Sequence, residues 1–308
     1  MTKVFIDGSA GTTGLRIRDR LENRSDIELI TLSDELRKDT AARKEALNSA
    51  DIAFLCLPDA AAIEAVSLVE NNHTAIIDTS TAHRTNEAWA YGFSELKGYF
   101  EKIKNSKRIA NPGCHASGFI ALVKPLVDEG FLKNDTALSC WSLTGYSGGG
   151  KKMIAEYEAE NRPVLLNAPR QYGLSQEHKH LKEMVKISGV TTAPAFCPIV
   201  APFYSGMQVC VPLFKKDIKG DLCDIKNIYK NYYKSGLVHF ADNADDGGFL
   251  SAAKYSGHDD MLLTLSGNEE RIILTAIYDN LGKGASGAAI QNMNILLGAK
   301  QNTGLVEE

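Results

Sequence analysis

Apolar residues along this chain recur in two rhythms. Over the first eighty positions, short apolar runs alternate with helical spacing. Residues 3–7 (Lys-Val-Phe-Ile-Asp) read as a buried strand, and Leu15, Ile17 and Leu21 mark a helix behind it. Residues 27–32, 52–57 and 75–78 read as three further strands, with helices over 41–47 and 60–69 between them. Strands alternating with helices at this spacing predict an α/β architecture, a doubly wound parallel sheet with helices on both faces. From about residue 135 the pattern changes. Apolar stretches at 137–143, 192–199, 206–212, 238–240, 261–266 and 271–278 predict longer, more separated strands, the last two joined as a hairpin across 267–270. With helices expected at 152–160, 176–187 and 224–234, this half reads as α+β with a mixed sheet. Residues 284–298 carry a long helical pattern rich in small residues, and the last ten positions look frayed.

Composition narrows the class. The 308 residues suit two domains, and 44% hydrophobic with 23% charged residues is the balance of a soluble globular protein. A net charge of -4 argues against a nucleic-acid partner, which calls for a basic face. No apolar run reaches the roughly 18 residues of a membrane span. The chain enters its first strand with no signal-peptide pattern, so a cytoplasmic location is expected. The six cysteines include no CxxC pair, so neither zinc nor a redox dithiol is expected. Most sit in apolar runs and read as small core residues. Cys114 differs, because its flanks are turn and helix-start residues.

Gly8, Gly11 and Gly14, with Ser9, Thr12 and Thr13 among them, lie between the first strand and the first helix. Glycines there let the backbone approach a pyrophosphate, and the helix start supplies N–H groups and positive potential. This predicts a Rossmann-type dinucleotide site. The second strand should deliver the group that reads the ribose. Ser33, Arg37 and Lys38 favour NADP, whereas Asp34 and Glu35 keep NAD open. After the fourth strand comes Asp78-Thr79-Ser80-Thr81-Ala82-His83-Arg84, where Arg84 is placed to hold a phosphate or carboxylate, or to form a surface salt bridge.

The most specific segment is Asn111-Pro112-Gly113-Cys114-His115. A thiol at a helix start meets unpaired N–H groups that favour the thiolate, and a thiolate can hold an acyl group as a thioester. Beside a nicotinamide cofactor, that is the equipment for interconverting an aldehyde and an activated acid. Such chemistry needs a proton acceptor and an oxyanion partner, and His178 and His180 are the candidates. On a helix, residues two apart point about 200° apart, so only one of them would face the thiol squarely. A metal pair would need i, i+4 spacing and a third ligand, so no metal is expected. The stretch from Thr144 to Lys152 contains three consecutive glycines, which imply a sharp turn or a close ligand approach, and Lys151 could attract an anion.

Together these motifs resemble the N-acetyl-γ-glutamyl-phosphate reductase family in its shorter form, nearly end to end. The likeness rests on residues 7–14, 111–118, 145–151 and 178–180, and on the Asp-Asn-Leu-Gly-Lys-Gly-Ala-Ser-Gly run that opens residues 279–294. The resemblance implies the fold of aspartate-semialdehyde dehydrogenase. Residues 1–113, completed by the helix at 284–308, would form the Rossmann domain, and 114–283 the catalytic and oligomerisation domain of a homodimer or homotetramer. It implies Cys114 as nucleophile, the histidine pair as acid/base, and Ser80, Gly282 and Gly284 near the cofactor. Arg84, Asn111, Ser147 and Lys151 would serve the acyl-phosphate substrate and the inorganic phosphate. The longer form usually has Ala at Gly149 and Arg at Lys151, which bears on the phosphate ligands and not on the thiol. The implied activity is NADPH-dependent reduction of N-acetylglutamyl phosphate to the semialdehyde, in arginine biosynthesis. Aspartate-semialdehyde dehydrogenase and a non-catalytic NADP(H) sensor of the same fold are the rivals.

Overall fold

The computed structural model describes residues 1–308, which divide into two compact units. The first comprises Met1–Ser94, Gly98–Pro112 and Ala285–Leu305. Its chain runs β1 (Thr2–Asp7), α1 (Thr12–Leu21), β2 (Ile27–Ile30), α2 (Thr40–Ser49), β3 (Ile52–Leu55), α3 (Asp59–Ser67), β4 (Ala75–Asp78), β5 (Ala90–Tyr91), α4 (Tyr99–Lys104) and β6 (Arg108–Ala110). The sheet is parallel throughout, in the order β2-β1-β3-β4-β6-β5.

The core shows why these strands are apolar on both sides. Val4 and Ile6 point to one face with Phe54, Ile77 and Ile109, under Ile17 and Leu21 of α1, Ile103 of α4 and Met293 of a C-terminal helix. Phe5, Ala53, Leu55 and Ile76 point to the other face, under Ala46 and Leu47 of α2 and Ala62 and Ala65 of α3. A parallel sheet covered on both faces demands such continuous apolar strands. Asp39 starts α2 by accepting the Ala42 N–H at 2.8 Å. The two short strands β5 and β6 are absent from the sequence reading, because two- and three-residue pairings are too short to show a period.

The second unit comprises Glu95–Lys97, Gly113–Gly284 and Val306–Glu308. It runs α5 (Cys114–Asp128), β7 (Ser139–Gly145), α6 (Gly150–Glu158), β8 (Arg170–Gln171), α7 (Leu181–Ser188), β9 (Ala195–Ala201), β10 (Met207–Phe214), α8 (Leu222–Tyr232), β11 (Val238–Phe240), β12 (Met261–Gly267) and β13 (Arg271–Tyr278). The mixed sheet has the order β11-β12-β13-β10-β7-β9-β8, and β12 and β13 form the expected hairpin. The fold class is therefore as read from the sequence. α5 is apolar nearly all round and packs against α7, α8, β10 and β13. Within the first unit, α9 (Gly287–Leu296) closes the chain of helices.

Two local readings need correction. The helix expected from 176 begins only at Leu181. Gln176 sits at φ 59, and its amide exchanges two 2.8 Å hydrogen bonds with the Phe196 backbone of β9. That strand-like pairing of a side chain removes residues 176–180 from the helix. The C-terminal ten residues are not frayed. The buried Asn294 amide donates to the carbonyls of Gln301 and Thr303, both at 2.9 Å, and its oxygen accepts from Arg24 at 2.5 Å. Val306 and Asp259 exchange further bonds. Asn294→Ala should therefore lower unfolding stability by about 1–3 kcal/mol, since it strands two carbonyls and one guanidinium N–H. Urea denaturation measures this, and an unchanged midpoint would show that the tail is held otherwise.

Candidate active site

The glycine loop after β1 has the shape its composition implied. Gly8 has φ +87, and a Cβ there would collide with the Cys56 carbonyl oxygen. A Cβ on Gly14 would lie 2.5 Å from the Gly8 carbonyl oxygen. Only glycine permits this fold, in which Gly11 N–H donates to Gly8 O at 3.0 Å. No side chain caps α1, which starts at Thr12, and the Thr12 hydroxyl is buried without a protein partner. A helix start with uncapped N–H groups and an orphaned buried donor fits an anionic pyrophosphate. Ser9 and Thr13 lie half-buried beside these residues. Behind the loop, Asp7 is buried against Arg43, whose Nε and Nη2 donate to Asp7 Oδ2 at 3.1 and 3.0 Å. Burial nevertheless leaves the Asp7 carboxyl above its ordinary pKa.

Beyond β2, Ser33 is exposed and its carbonyl accepts the Arg37 N–H. Arg37 pairs with Asp34 at 3.0 Å, so the acid that kept NAD open lies against a guanidinium. After β4, Asp78 gathers Ser80 Oγ at 2.8 Å and His83 Nδ1 at 2.6 Å, and His83 stacks on Trp89. Ser80 thus spends its hydroxyl on Asp78. Arg84 is buried and donates to the carbonyls of Asn111 and Thr79, both at 2.9 Å. Asn111 is buried too. Its amide donates to Ala285 O at 2.9 Å and its oxygen accepts from Asn292 at 3.2 Å. Arg84 and Asn111, expected to serve the substrate, thus also hold the backbone that leads to Cys114.

Cys114 is the first residue of α5 and is half-buried. Three neighbours pin it. Glu183 Oε2 accepts the Gly113 N–H at 3.1 Å. Tyr278 donates to Cys114 O at 2.5 Å and accepts the Gly118 N–H at 3.0 Å. A Cβ on Gly284 would lie 3.1 Å from the Cys114 Cβ, so only glycine leaves the thiol its place. Gly284 is set by a wide turn in which its N–H reaches Asp279 O at 3.0 Å, while Asp279 Oδ1 accepts the N–H groups of Leu281 and Gly282 at 2.6 and 3.2 Å. Gly282 meets the His258 carbonyl, again with no room for a side chain.

Around His115, the residue after the thiol, stands a nest of rings. His115 contacts His178 and His180 at centroid distances of 5.7 and 5.6 Å, and those two meet at 4.8 Å. Residues 176–180 are not helical, so the opposed orientation expected of the pair does not hold. Its two rings instead pack on each other and on His115. His178 Nδ1 accepts the His180 backbone N–H at 3.2 Å. Burial, with a smaller contribution from Lys179, pushes His178 down to about 4. Burial likewise takes His115 down to about 3. His180 is buried, with Nε2 4.0 Å from Glu183 Oε1. Ser147 is buried and accepts from Asn280 at 2.9 Å, whereas Lys151 is exposed in the first turn of α6.

Glu183, His115 and Tyr172 were not singled out by the sequence reading. His115 adjoins the thiol in sequence, and that adjacency was its only signal. Glu183 and Tyr172 reach the site through the fold alone.

An uncapped glycine loop after β1 and a pinned thiol heading α5 are the features with which known proteins can be compared. The family model for the semialdehyde dehydrogenase NAD binding domain matches residues 3–106, and that for the semialdehyde dehydrogenase dimerisation domain matches residues 114–280. The chain belongs to the semialdehyde dehydrogenase family, and within it to the N-acetyl-γ-glutamyl-phosphate reductases. A reductase of that name from Brucella ovis is 45% identical over 306 residues, covering 96% of this chain and 99% of the relative. N-acetyl-γ-glutamyl-phosphate reductase 2 from Nostoc sp. is 43% identical over 318 residues, covering 98% and 99%. Among solved structures, aspartate semialdehyde dehydrogenase II from Vibrio cholerae superposes with a TM-score of 0.72 at 17% identity, covering 96% and 98% of the two chains. Aspartate semialdehyde dehydrogenase with NADP from Candida albicans gives 0.69 at 16%, covering 98% and 99%. At these identities the structures share the fold with this chain.

The histidines make stability sensitive to acid. Both His115 and His178 are depressed from about 6.5, so the unfolded chain binds their protons first as pH falls. Their contribution to stability is complete above about pH 6.5 and drains away toward pH 4 for His178 and pH 3 for His115. The melting temperature should fall between pH 7 and pH 5, and His178→Gln should flatten that fall. An identical slope in the variant would contradict the assignment.

Proposed function

We propose that this chain reduces N-acetyl-γ-glutamyl phosphate to N-acetylglutamate semialdehyde with NADPH, releasing inorganic phosphate, as a cytoplasmic step of arginine biosynthesis. The observation that carries the reading is a half-buried thiol at the head of α5, pinned by Glu183, Tyr278 and Gly284 and followed by His115, on whose ring the His178–His180 pair packs. Cys114 attacks the acyl carbon as a thiolate, and expulsion of phosphate leaves a thioester. Gly8, Ser9, Gly11, Thr12, Thr13 and Gly14 would hold NADPH, which would supply the hydride that reduces the thioester. Ser33 and Arg37 support the 2′-phosphate, with Asp34 already paired to Arg37. His180, beside the Glu183 carboxyl, takes the thiol proton and returns it when the hemithioacetal collapses. His178, its Nδ1 occupied by a backbone N–H, is a neutral Nε2–H donor for the acyl oxygen. Lys151 and Ser147 support the phosphate, while Arg84 and Asn111 hold the approach to Cys114.

The chain acts as a homodimer or a higher homo-oligomer in this reading. One face of the mixed sheet is covered by α5, and alternate residues point the other way. Register puts Trp141, Leu143, Cys197, Ile199 and Cys210 together on that outer face, with Trp141 49% exposed. Such an apolar patch is suited to a second copy of the chain. Trp141→Glu should convert the assembly to monomer, read by light scattering behind size exclusion. An unchanged mass would move the interface elsewhere.

The deciding assay is phosphate-dependent reduction of NADP and of NAD, with N-acetylglutamate semialdehyde and aspartate semialdehyde offered in parallel. Turnover with the acetylated substrate and NADP is expected. Cys114→Ser should cut it by at least about 10⁴-fold, as loss of a covalent nucleophile does, with NADPH affinity within about twofold. A signal confined to aspartate semialdehyde would assign the sister activity, and NADPH binding without turnover on either would favour a sensor.

A further inference from the structure

The ring nest contains a hydrogen-bond chain that the reaction as written does not use. Ser142, fully buried on β7, lies 2.6 Å from His115 Nδ1. His115 Nε2 lies 2.6 Å from the Tyr172 hydroxyl. His115 follows Cys114 directly and is 2% exposed. The chain therefore starts inside the sheet and ends on a phenol. Of the rings in this nest, His115, His180 and Phe196 are buried, while Tyr172 and His178 are half-open, as is Cys114, whose charge is felt at the Tyr172 phenol. Tyr172 and His178 touch at a centroid distance of 5.8 Å and share that rim.

A neutral imidazole carries one N–H, so the chain has two proton arrangements. In the first, Tyr172 donates to His115, and His115 donates to Ser142. In the second, Ser142 donates to Nδ1 and Nε2–H donates to the Tyr172 oxygen. The phenol hydrogen is then released toward the rim, on a donor strengthened by the bond behind it. Burial keeps His115 neutral, and burial and the nearby Cys114 keep the Tyr172 phenol protonated. Neither end of the chain gains by ionising, so it aims a neutral donor and carries no charge.

We propose that Tyr172 is a catalytic hydrogen-bond donor to the oxygen of the acyl group held on Cys114, beside His178, with His115 and Ser142 as the positioning residues that aim it. This rests on the thioester reading above. As hydride bonds to the thioester carbon, the C=O π pair moves onto oxygen, where the phenol O–H meets the new charge. When the C–S bond breaks, that pair re-forms C=O, sulfur departs with the bonding pair, and Tyr172 keeps its proton throughout.

The test compares the full-length wild type with Tyr172→Phe, Ser142→Ala, Ser142→Thr and Cys114→Ser. Each is assayed for turnover and for the rate of Cys114 alkylation by iodoacetamide. Tyr172→Phe should lower kcat about 10–100-fold, less than the roughly 10²–10³ for a sole oxyanion donor because His178 remains. KM should stay within about threefold and the alkylation rate within about twofold, because the phenol serves the acyl oxygen and not the sulfur. Ser142→Ala should lose less, about 3–10-fold, and Ser142→Thr should recover most of it, as expected when only the chain's anchoring hydroxyl is at stake. A Tyr172→Phe kcat within twofold of wild type would overturn the proposal. So would an equal fall in kcat and alkylation rate, which marks a packing role. If the wild type shows no Cys114-dependent turnover, the thioester reading falls and takes this inference with it. Wild-type turnover with an unaffected Tyr172→Phe removes Tyr172 alone.

Discussion

Everything reactive in this protein depends on how the first turn of α5 is held. A helix start leaves backbone N–H groups without intrahelical partners, and here the Gly113 N–H finds the Glu183 carboxyl. The Cys114 carbonyl accepts from Tyr278, whose own oxygen accepts the next free N–H, that of Gly118. Gly118 has no Cβ, and one would meet the Tyr278 hydroxyl at 2.7 Å. Gly284 closes the remaining side against the thiol's own Cβ. The thiol therefore stands where backbone polarity supports an anion, on a helix whose apolar body is locked into the sheet. A nucleophile so fixed needs little reorganisation to meet an acyl carbon.

The surroundings of that thiol are electrically quiet by design of packing. His115 and His178 are held neutral by burial, and Tyr172 is held protonated. That leaves His180, next to Glu183, as the imidazole with a carboxyl to support its charge. In the proposed reaction, that division separates oxyanion stabilisation from proton transfer. The same burial makes the site sensitive to acid, because neutral imidazoles in the folded state yield to protonation once the chain opens.

The first unit shows a comparable division between ligand groups and supports. The Thr12 hydroxyl is left without a protein partner, while the polar atoms of Asp7, Ser80, Arg84 and Asn111 are occupied. Asp7 ends β1 and Asp78 ends β4, on either side of β3; Asp7 draws in Arg43 of α2, and Asp78 draws in Ser80 and His83 just beyond its own strand. Polar residues at strand ends thus shape the loops, and the uncapped start of α1 keeps its N–H groups open.

Local chemistry was legible from the chain alone. The Gly8–Gly14 loop, the thiol at a helix start and the β12–β13 hairpin were each written within a few adjacent residues, because turn geometry and helix starts are set by neighbours in sequence. The parallel sheet followed from apolar runs, since burial on both faces imposes them. What depended on distant residues was invisible. Gln176 belongs to a loop because it bonds to Phe196, twenty positions on. Asn111 and Arg84 read as ligand residues, and nothing local announced their partners at Ala285, Asn292 and Thr79. The tail is ordered by Asn294 and Arg24, and Glu183, His115 and Tyr172 acquire meaning only around Cys114. The sequence by itself determined the longer elements, the glycine loop after β1 and the place of a thiol at a helix start. Tertiary structure alone decided which polar side chains are spent and which remain for chemistry, because a hydrogen bond is settled by position in space and not by separation along the chain.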